Sequence, residues 1–305
     1  MKAQVLYLWG MLDGFLLIDK PSGPTSHDVV DSVRRLFGKQ LYAKRYTLNA
    51  APKVGHAGTL DPFATGLLIV GIGKATKEMS KLVGLDKEYE ATLQLGATSD
   101  TYDRTGQIHK QDSSFRPVRV RATPPLSSFR PERAGASGVE KSHSRARATQ
   151  SLRTTMRSLD STTVPLEMTT IKETLEKFTG TIQQIPPMYS AKKVGGKKLY
   201  ELARKGITIE RKPSRVTIYS IDHLNLSAIR YTLYAHIRCS SGTYIRSLAH
   251  DIGQALGCGA YVKELRRTAV GPFTINETVA LRELSAENLP RNLRTIEAIL
   301  ARMHQ

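Results

Sequence analysis

The 305-residue chain contains two cysteines, Cys239 and Cys258. They form no CxxC pair and cannot build a zinc site by themselves. Such sparse use fits a reducing cytoplasm, with both as ordinary buried thiols. No run approaches the ~18 apolar residues of a membrane-spanning helix, so no membrane partner is expected. Met1–Leu17 is mildly apolar, but Asp13 interrupts it and no small-residue cleavage site follows, which argues against a signal peptide. The regular pattern begins near Met11, and the first ten residues read as a start-site extension. The eight histidines show no HExxH or similar ligand spacing, so no metal is expected. Two glycine motifs are near misses. "GIGKAT" at Gly71–Thr76 has Leu68 where a phosphate loop needs glycine, and Ala75 where it needs Ser or Thr; Thr76 breaks the dinucleotide pattern. "CSSGTY" has Cys239 where a nucleophile elbow requires glycine. No cofactor is expected.

What the chain has in excess is positive charge: 45 Lys and Arg against 27 Asp and Glu, a formal net of +18. Gln111–Asp160 carries +6 of this, leaving +12 for the remainder, so the basic character extends beyond that segment. Such a balance points to a polyanionic partner, with nucleic acid ahead of an acidic membrane surface because no basic amphipathic helix stands out.

Periodicity organises the rest. "GFLLIDK" at Gly14–Lys20 reads as a strand, followed by a turn at Pro21–Pro24 and a helix capped by Thr25 or Ser26 that runs to about Phe37 and is closed by Gly38. A buried strand is expected at Gly66–Gly73 and a helix around Ala75–Val83. Lys87–Gly96 alternates, with Tyr89, Ala91, Leu93 and Leu95 on one face, and is a half-buried strand. From Gln111 to about Thr163 the periodicity disappears, and this segment is expected to be a disordered basic insertion; Lys39–Pro52 is a shorter one. Helices follow near Thr170–Phe178 and Lys197–Lys205, then strands near Arg215–Leu224 and Ile229–Cys239. "SSGTYIRSLAHDIGQALG" opens as a loop and becomes a helix; "GAYVKELRRTAVGPF" reads as a helix leading to a final strand; a helix from about Leu293 closes the chain. Strands and helices mix without a regular βαβ repeat, giving an α+β class with a mixed sheet flanked by helices.

One carboxylate stands apart. In "HAGTLDP", Asp61 precedes Pro62 and is pushed out of the helical region, while Gly58 permits a tight backbone approach. Asp61 is therefore a loop residue, either a turn aspartate accepting backbone N–H bonds or a positioned catalytic carboxylate.

Five segments occur in order: "GFLLIDKPSGPTSHDVV", "HAGTLDPFATGLL", "KEYEATLQLG", "PPMYSAKKVGGKKLYELARKG" and "CSSGTYIRSLAHDIG". Together they closely resemble the TruB family of tRNA pseudouridine synthases, over about Leu12–Gly106 and Thr170–Phe273. The resemblance implies a pseudouridine-synthase-like, largely antiparallel central sheet flanked by helices and loops. It implies an enzyme that isomerises uridine-55 in the T-loop of tRNA by flipping the base out, without a cofactor. The reaction breaks the bond from ribose C1′ to base N1, turns the base, and joins C1′ to C5.

By the same resemblance Asp61 is the catalytic carboxylate and Arg246 keeps it ionised and oriented. Tyr89 is the aromatic platform, Tyr244 a second aromatic, and Leu265 part of the pocket wall. His56 wedges into the RNA, and Lys20 supports the active-site loop or a phosphate. Lys192, Lys193, Lys197 and Lys198 are phosphate contacts. Read locally, without the resemblance, Tyr89 and Tyr244 are core residues, Arg246 a surface or phosphate-binding arginine, and the lysines a solvated face.

The expected organisation is a catalytic unit over 1–273, interrupted by the 111–163 insertion, and a strand-and-helix tail over 274–305. With 32 residues after Phe273, the small RNA-binding PUA module common in bacterial members is expected to be absent or truncated. The expected protein is a cytoplasmic monomer that binds the T-arm of tRNA. A non-catalytic tRNA-binding or tRNA-folding protein is the alternative, and it would not need Asp61.

Overall fold

The computed structural model describes residues 13–43, 52–111, 168–190, 192–227 and 231–303. Beyond Gln111, the expected insertion lies outside the described residues, as do residues 44–51 of the shorter one and the first twelve residues. In chain order the elements are β1 (Gly14–Lys20), α1 (Ser26–Ala43), β2 (Val54–Ala57), β3 (Thr65–Ile72), α2 (Met79–Val83), β4 (Lys87–Leu95), β5 (Ala97–Ser99) and β6 (Ile108–Lys110). There follow α3 (Met168–Glu176), β7 (Gly180–Gln184), β8 (Lys193–Val194), β9 (Lys197–Lys198), α4 (Leu199–Ala203), β10 (Ser214–Ser227) and β11 (Thr232–Cys239). The last are α5 (Ile245–Ala255), β12 (Ala260–Val270), β13 (Phe273–Thr274), β14 (Val279–Ala280), α6 (Leu289–Asn292) and α7 (Ile296–Arg302).

The sheet has the strand order β14-β1-β3-β12-β4-β11-β10-β7, with β2 added to β3 and β13 to β12. Only β1–β14 and β12–β3 pair in parallel; the other pairs are antiparallel. The expected mixed, largely antiparallel α+β architecture is what the chain adopts.

The two kinds of strand pattern follow from what covers each face. In β1 and β3, Leu16, Ile18, Leu68 and Val70 enter one core with Val29, Val30 and Val33 of α1 and Leu248 and Ile252 of α5. Their neighbours Phe15, Leu17, Leu67 and Ile69 enter a second core with Leu82, Phe273 and Ile299. Strands covered on both sides read as unbroken apolar runs. Strand β4 is covered on one face only, so Tyr89 and Leu93 are buried while Glu90 is exposed.

Four local expectations need correction. Ala260–Val270 is a strand, not a helix, and it pairs with β4 along its whole length. Helix α1 continues past Gly38, because one interior glycine weakens a helix by only about 1 kcal/mol without ending it. Its start is a reciprocal cap in which Thr25 N donates to Asp28 Oδ2 (2.8 Å) and Asp28 N donates to Thr25 Oγ1 (3.1 Å). The helix expected at Ala75–Val83 is a 3₁₀ turn, Gly73–Lys77, followed by the short α2. The one expected at Lys197–Lys205 begins as β9, hairpinned to β8 through Gly195 and Gly196 at φ of 56° and 79°, before α4 forms.

Candidate active site

The loop carrying Asp61 leaves β2 and enters β3, and buried side chains hold it residue by residue. Arg267 on β12 donates to Gly58 O (3.2 Å) and Thr59 O (3.4 Å). Ser26 Oγ accepts from Leu60 N (2.9 Å) and donates to Leu60 O (3.1 Å). The Lys20 ammonium donates to Pro62 O (3.1 Å) and Ala64 O (2.7 Å). Gly66 closes the loop at φ 106°, packed so tightly on the β12 backbone that a Cβ there would sit 2.2 Å from Arg267 O. Lys20 is fully buried, and that burial lowers its pKa to about 8 against the opposing pull of the Asp61 charge.

Arg246, one residue into α5, meets this loop. Its Nε donates to Asp61 Oδ2 and its Nη2 to Asp61 Oδ1, each at 2.8 Å, a bidentate fork. The same guanidinium donates to Tyr189 O (2.8 Å) and Thr101 O (3.0 Å) and pairs with Asp103 at 3.2 Å. Among the described residues, the Asp61 carboxylate receives its hydrogen bonds from Arg246 and from no backbone N–H. This is an oriented ion pair, not a turn aspartate. The arginine side chain is 4% exposed and the Asp61 side chain 31%, so the pair is anchored on its inner side and open on its outer one. Burial raises the Asp61 carboxyl above its ordinary value; the Arg246 charge pulls it back down, and the neighbouring Asp103 adds to the rise.

The open side faces a cavity of about 250 Å³. Asp61, Arg246, Tyr89, Tyr244 and Leu265 line it together, so five of the seven expected site residues converge. Tyr89 is 8% exposed on β4, and burial raises its phenol above the ordinary value. Tyr244 precedes α5; its backbone N–H and C=O both bond the side-chain amide of Gln184, which fixes the strand-to-helix turn carrying Arg246. Lys20 lies behind the loop instead of in the cavity wall. His56 is on β2, paired with Val70, outside the lining; its Nδ1 is buried without a partner, and burial lowers its pKa.

The lysine cluster surrounds the β8–β9 hairpin: Lys192 donates to Ser214 Oγ (2.5 Å), and Lys197 is exposed. Lys198 is 3.9 Å from Glu201. A larger hollow of about 650 Å³ runs over Glu90, Thr92, His236 and Glu264. It shares Leu265 with the cavity but neither Asp61 nor Arg246, so size does not identify the reactive site.

Three residues escaped the sequence reading: Asp103, Arg267 and Lys87. Asp103 is buried and also accepts from Thr101 Oγ1 (2.9 Å) and Thr105 N (2.9 Å). Arg267 and Lys87 line the cavity. Both carry a period-two signal: Lys87 stands two residues before Tyr89, and Arg267 two after Leu265, each on the inward face.

The family model "TruB family pseudouridylate synthase (N terminal domain)" matches residues 44–131 and 142–245, and "tRNA pseudouridylate synthase B C-terminal domain" matches 246–302. The boundary between them falls within α5, while the one sheet draws strands from both sides of it. The tRNA pseudouridine synthase B of Dechloromonas aromatica (strain RCB) is 40% identical over 276 residues, covering 90% of this chain and 71% of that protein. That of Bordetella pertussis (strain Tohama I) is 40% identical over 275 residues, covering 90% and 88%. Among solved structures, a chain of a Cbf5-Nop10-Gar1 complex superposes with a TM-score of 0.53 at 26% identity, covering 89% of this chain. This chain spans about half, 53%, of that one. A chain of an H/ACA RNP bound to a substrate RNA shares the fold at a TM-score of 0.51 and 24% identity, covering 92% of this chain and 54% of that one.

Fold and sequence together define a pseudouridine synthase, an isomerase. The family models match more than half of the chain, and curated relatives align along nine-tenths of it. The chain belongs to the TruB family.

Proposed function

We propose that the protein converts uridine-55 in the T-loop of tRNA to pseudouridine, with Asp61 as the catalytic carboxylate. The observation that carries this reading is the Asp61–Arg246 fork at the mouth of a cavity walled by Tyr89, Tyr244 and Leu265. A base stacked in an RNA loop must be extruded before its glycosidic bond is reached, and the aromatic and apolar walls suit a flipped pyrimidine. As C1′–N1 breaks, positive character develops on the sugar carbon, which the Asp61 carboxylate meets. The base turns, C1′ bonds to C5, C5 loses its proton and N1 gains one, so the product is an isomer. Arg246 holds the carboxylate in one orientation, so little reorganisation accompanies the step.

The net charge of +18 and the basic β8–β9 hairpin supply phosphate affinity, which positions the RNA without choosing the base. In this reading His56 meets the RNA from the rim, residues 1–273 form the catalytic unit, and 274–305 are a tail whose Val279–Ala280 strand extends the same sheet. The protein acts as a cytoplasmic monomer. Among the described residues no helix is long and apolar enough to cross a membrane.

The test is tritium release from unmodified tRNA transcript carrying [5-³H]uridine. Release from the normal transcript, and its loss when position 55 alone is cytidine, is the expected result. Tight tRNA binding with no release would replace this reading with a non-catalytic binding protein.

A further inference from the structure

Arg267 is the largest fully buried side chain among the described residues, with 1% exposure. Among those residues no Asp or Glu lies within ion-pair distance of it. Buried arginines are ordinarily paired, because a lone charge away from water is costly. Here three N–H donors instead go to backbone carbonyls: Leu67 O (2.8 Å), Thr59 O (3.4 Å) and Gly58 O (3.2 Å). Strand register sets Arg267 between Gly66 of β3 and Tyr89 of β4, directly opposite each. Gly66, at the far end of the Asp61 loop, makes room for the strand that carries it: a Cβ there would overlap the Arg267 backbone, whereas one on Gly58 would meet Nη1 at an ordinary contact distance of 3.6 Å.

A guanidinium has donors and no acceptor. Any hydrogen bond between Arg267 and the Tyr89 phenol therefore has the phenol oxygen accepting, which leaves the phenol's own O–H to point elsewhere. Both side chains line the 250 Å³ cavity. Lys87, on the same face two residues before Tyr89, adds a second buried cation whose ammonium is committed to Val83 O (2.6 Å) and Leu85 O (2.5 Å). Tyr89 thus faces the Arg267 charge across the strand pair, while Asp61 in the same cavity wall and the Cys239 thiol oppose its effect on the phenol. Burial raises the phenol, and the Arg267 charge draws it back toward the anion.

We propose that Arg267 is a positioning residue for the isomerisation, joining the Asp61 loop to Tyr89 and holding the Tyr89 oxygen as an acceptor poised for negative charge. The inference rests on the proposed uridine isomerisation. Two demands meet in this one side chain: the carbonyls at 58 and 59 must stay where Asp61 faces the sugar, and the phenol must keep one orientation against the base. Glutamine, with a shorter stem and two N–H donors, supplies neither the three carbonyl contacts nor the charge.

The test uses the full chain and unmodified tRNA transcript, with 3-fluorotyrosine placed at position 89 for ¹⁹F titration. Parent turnover on the transcript checks the reading beneath the inference; a parent without turnover sinks that reading, while the fluorotyrosine titration still judges Arg267. Arg267→Lys keeps one charge and loses the fork, and is expected to lower kcat by about tenfold or more with KM within about twofold. Arg267→Gln loses the charge and is expected to raise the fluorotyrosine midpoint by about one pH unit or more. Combining Arg267→Lys with Tyr89→Phe is expected to cost less than the product of the single effects, because the two act as one unit. If Arg267→Gln does not fold, Arg267→Lys and the double variant decide. Parent-like kcat in Arg267→Lys, strictly multiplicative losses in the double variant, or an unmoved midpoint in a folded Arg267→Gln overturns the proposal.

Discussion

Replacing Arg246 with lysine isolates the value of the fork while keeping the charge. Arg246 serves five acceptors: both oxygens of Asp61, Tyr189 O, Thr101 O and Asp103 Oδ2. A lysine ammonium has three donors on a flexible stem, so at least two of these acceptors lose their partner. The site is 4% exposed on the arginine side, where a buried acceptor left bare costs about 1–3 kcal/mol. With a lysine bond and entering water recovering part of this, we expect Arg246→Lys to unfold about 2–4 kcal/mol more easily. The rate should suffer separately. Asp61 would be held by one movable contact in place of two parallel ones, and misplacement of that kind costs about 100-fold, equivalent to about 2.7 kcal/mol in the barrier. Single-turnover conversion of saturating tRNA reads the rate, and denaturant melts read the stability. A variant within about threefold of the parent rate would refute the claim that the fork, beyond its charge, orients Asp61.

Further outcomes are expected elsewhere. Gly66→Ala should unfold the loop or the protein, losing about 3 kcal/mol or more, because the new Cβ meets Arg267 O at 2.2 Å at a φ of 106°; near-parent melting would contradict this contact. The single-turnover rate should fall on acidification at a pH above the ordinary aspartate value of ~4, since Asp61 is raised by burial and must be ionised to act. A rate that stays flat down to pH 4 in a folded protein would contradict that requirement. Glu277, paired with Arg302 on α7, is lowered to about 2, first by the Arg302 hydrogen bonds. Its folded pKa lies below the unfolded one, so its stabilisation is full above the ordinary glutamate value and fades as pH falls toward about 2. Water screens the half-exposed pair, so Glu277→Gln should cost about 1 kcal/mol at pH 7 and nothing near pH 2 by thermal melts.

What the sequence disclosed follows the range of the forces involved. Strands β1, β3 and β4 were legible because their apolar runs and alternation are local records of which face is covered. Strand β12 was not. Lys263, Glu264, Leu265 and Arg266 favour helix, and Arg267 interrupts the alternating apolar set of Leu265 and Ala269, so only pairing with the distant β4 reveals the strand. The site shows the same division. Asp61 stood out through Gly58 and Pro62, its immediate neighbours. Its partner Arg246 is 185 residues away and came from the family resemblance, not from spacing. Asp103 carries no local mark of burial, and the period-two placement of Arg267 counts only once β12 is known to be a strand. They read as two more charges in a basic chain until β12 sets one against Tyr89 and the other closes on Arg246.

The most direct test of the account is Asp61→Asn, which keeps shape and removes the charge. Parent and variant are incubated with unmodified tRNA, and pseudouridine at position 55 is mapped alongside tRNA affinity. The account predicts full conversion by the parent, none by the variant, and binding by both. Conversion by Asp61→Asn at the parent's rate would contradict it.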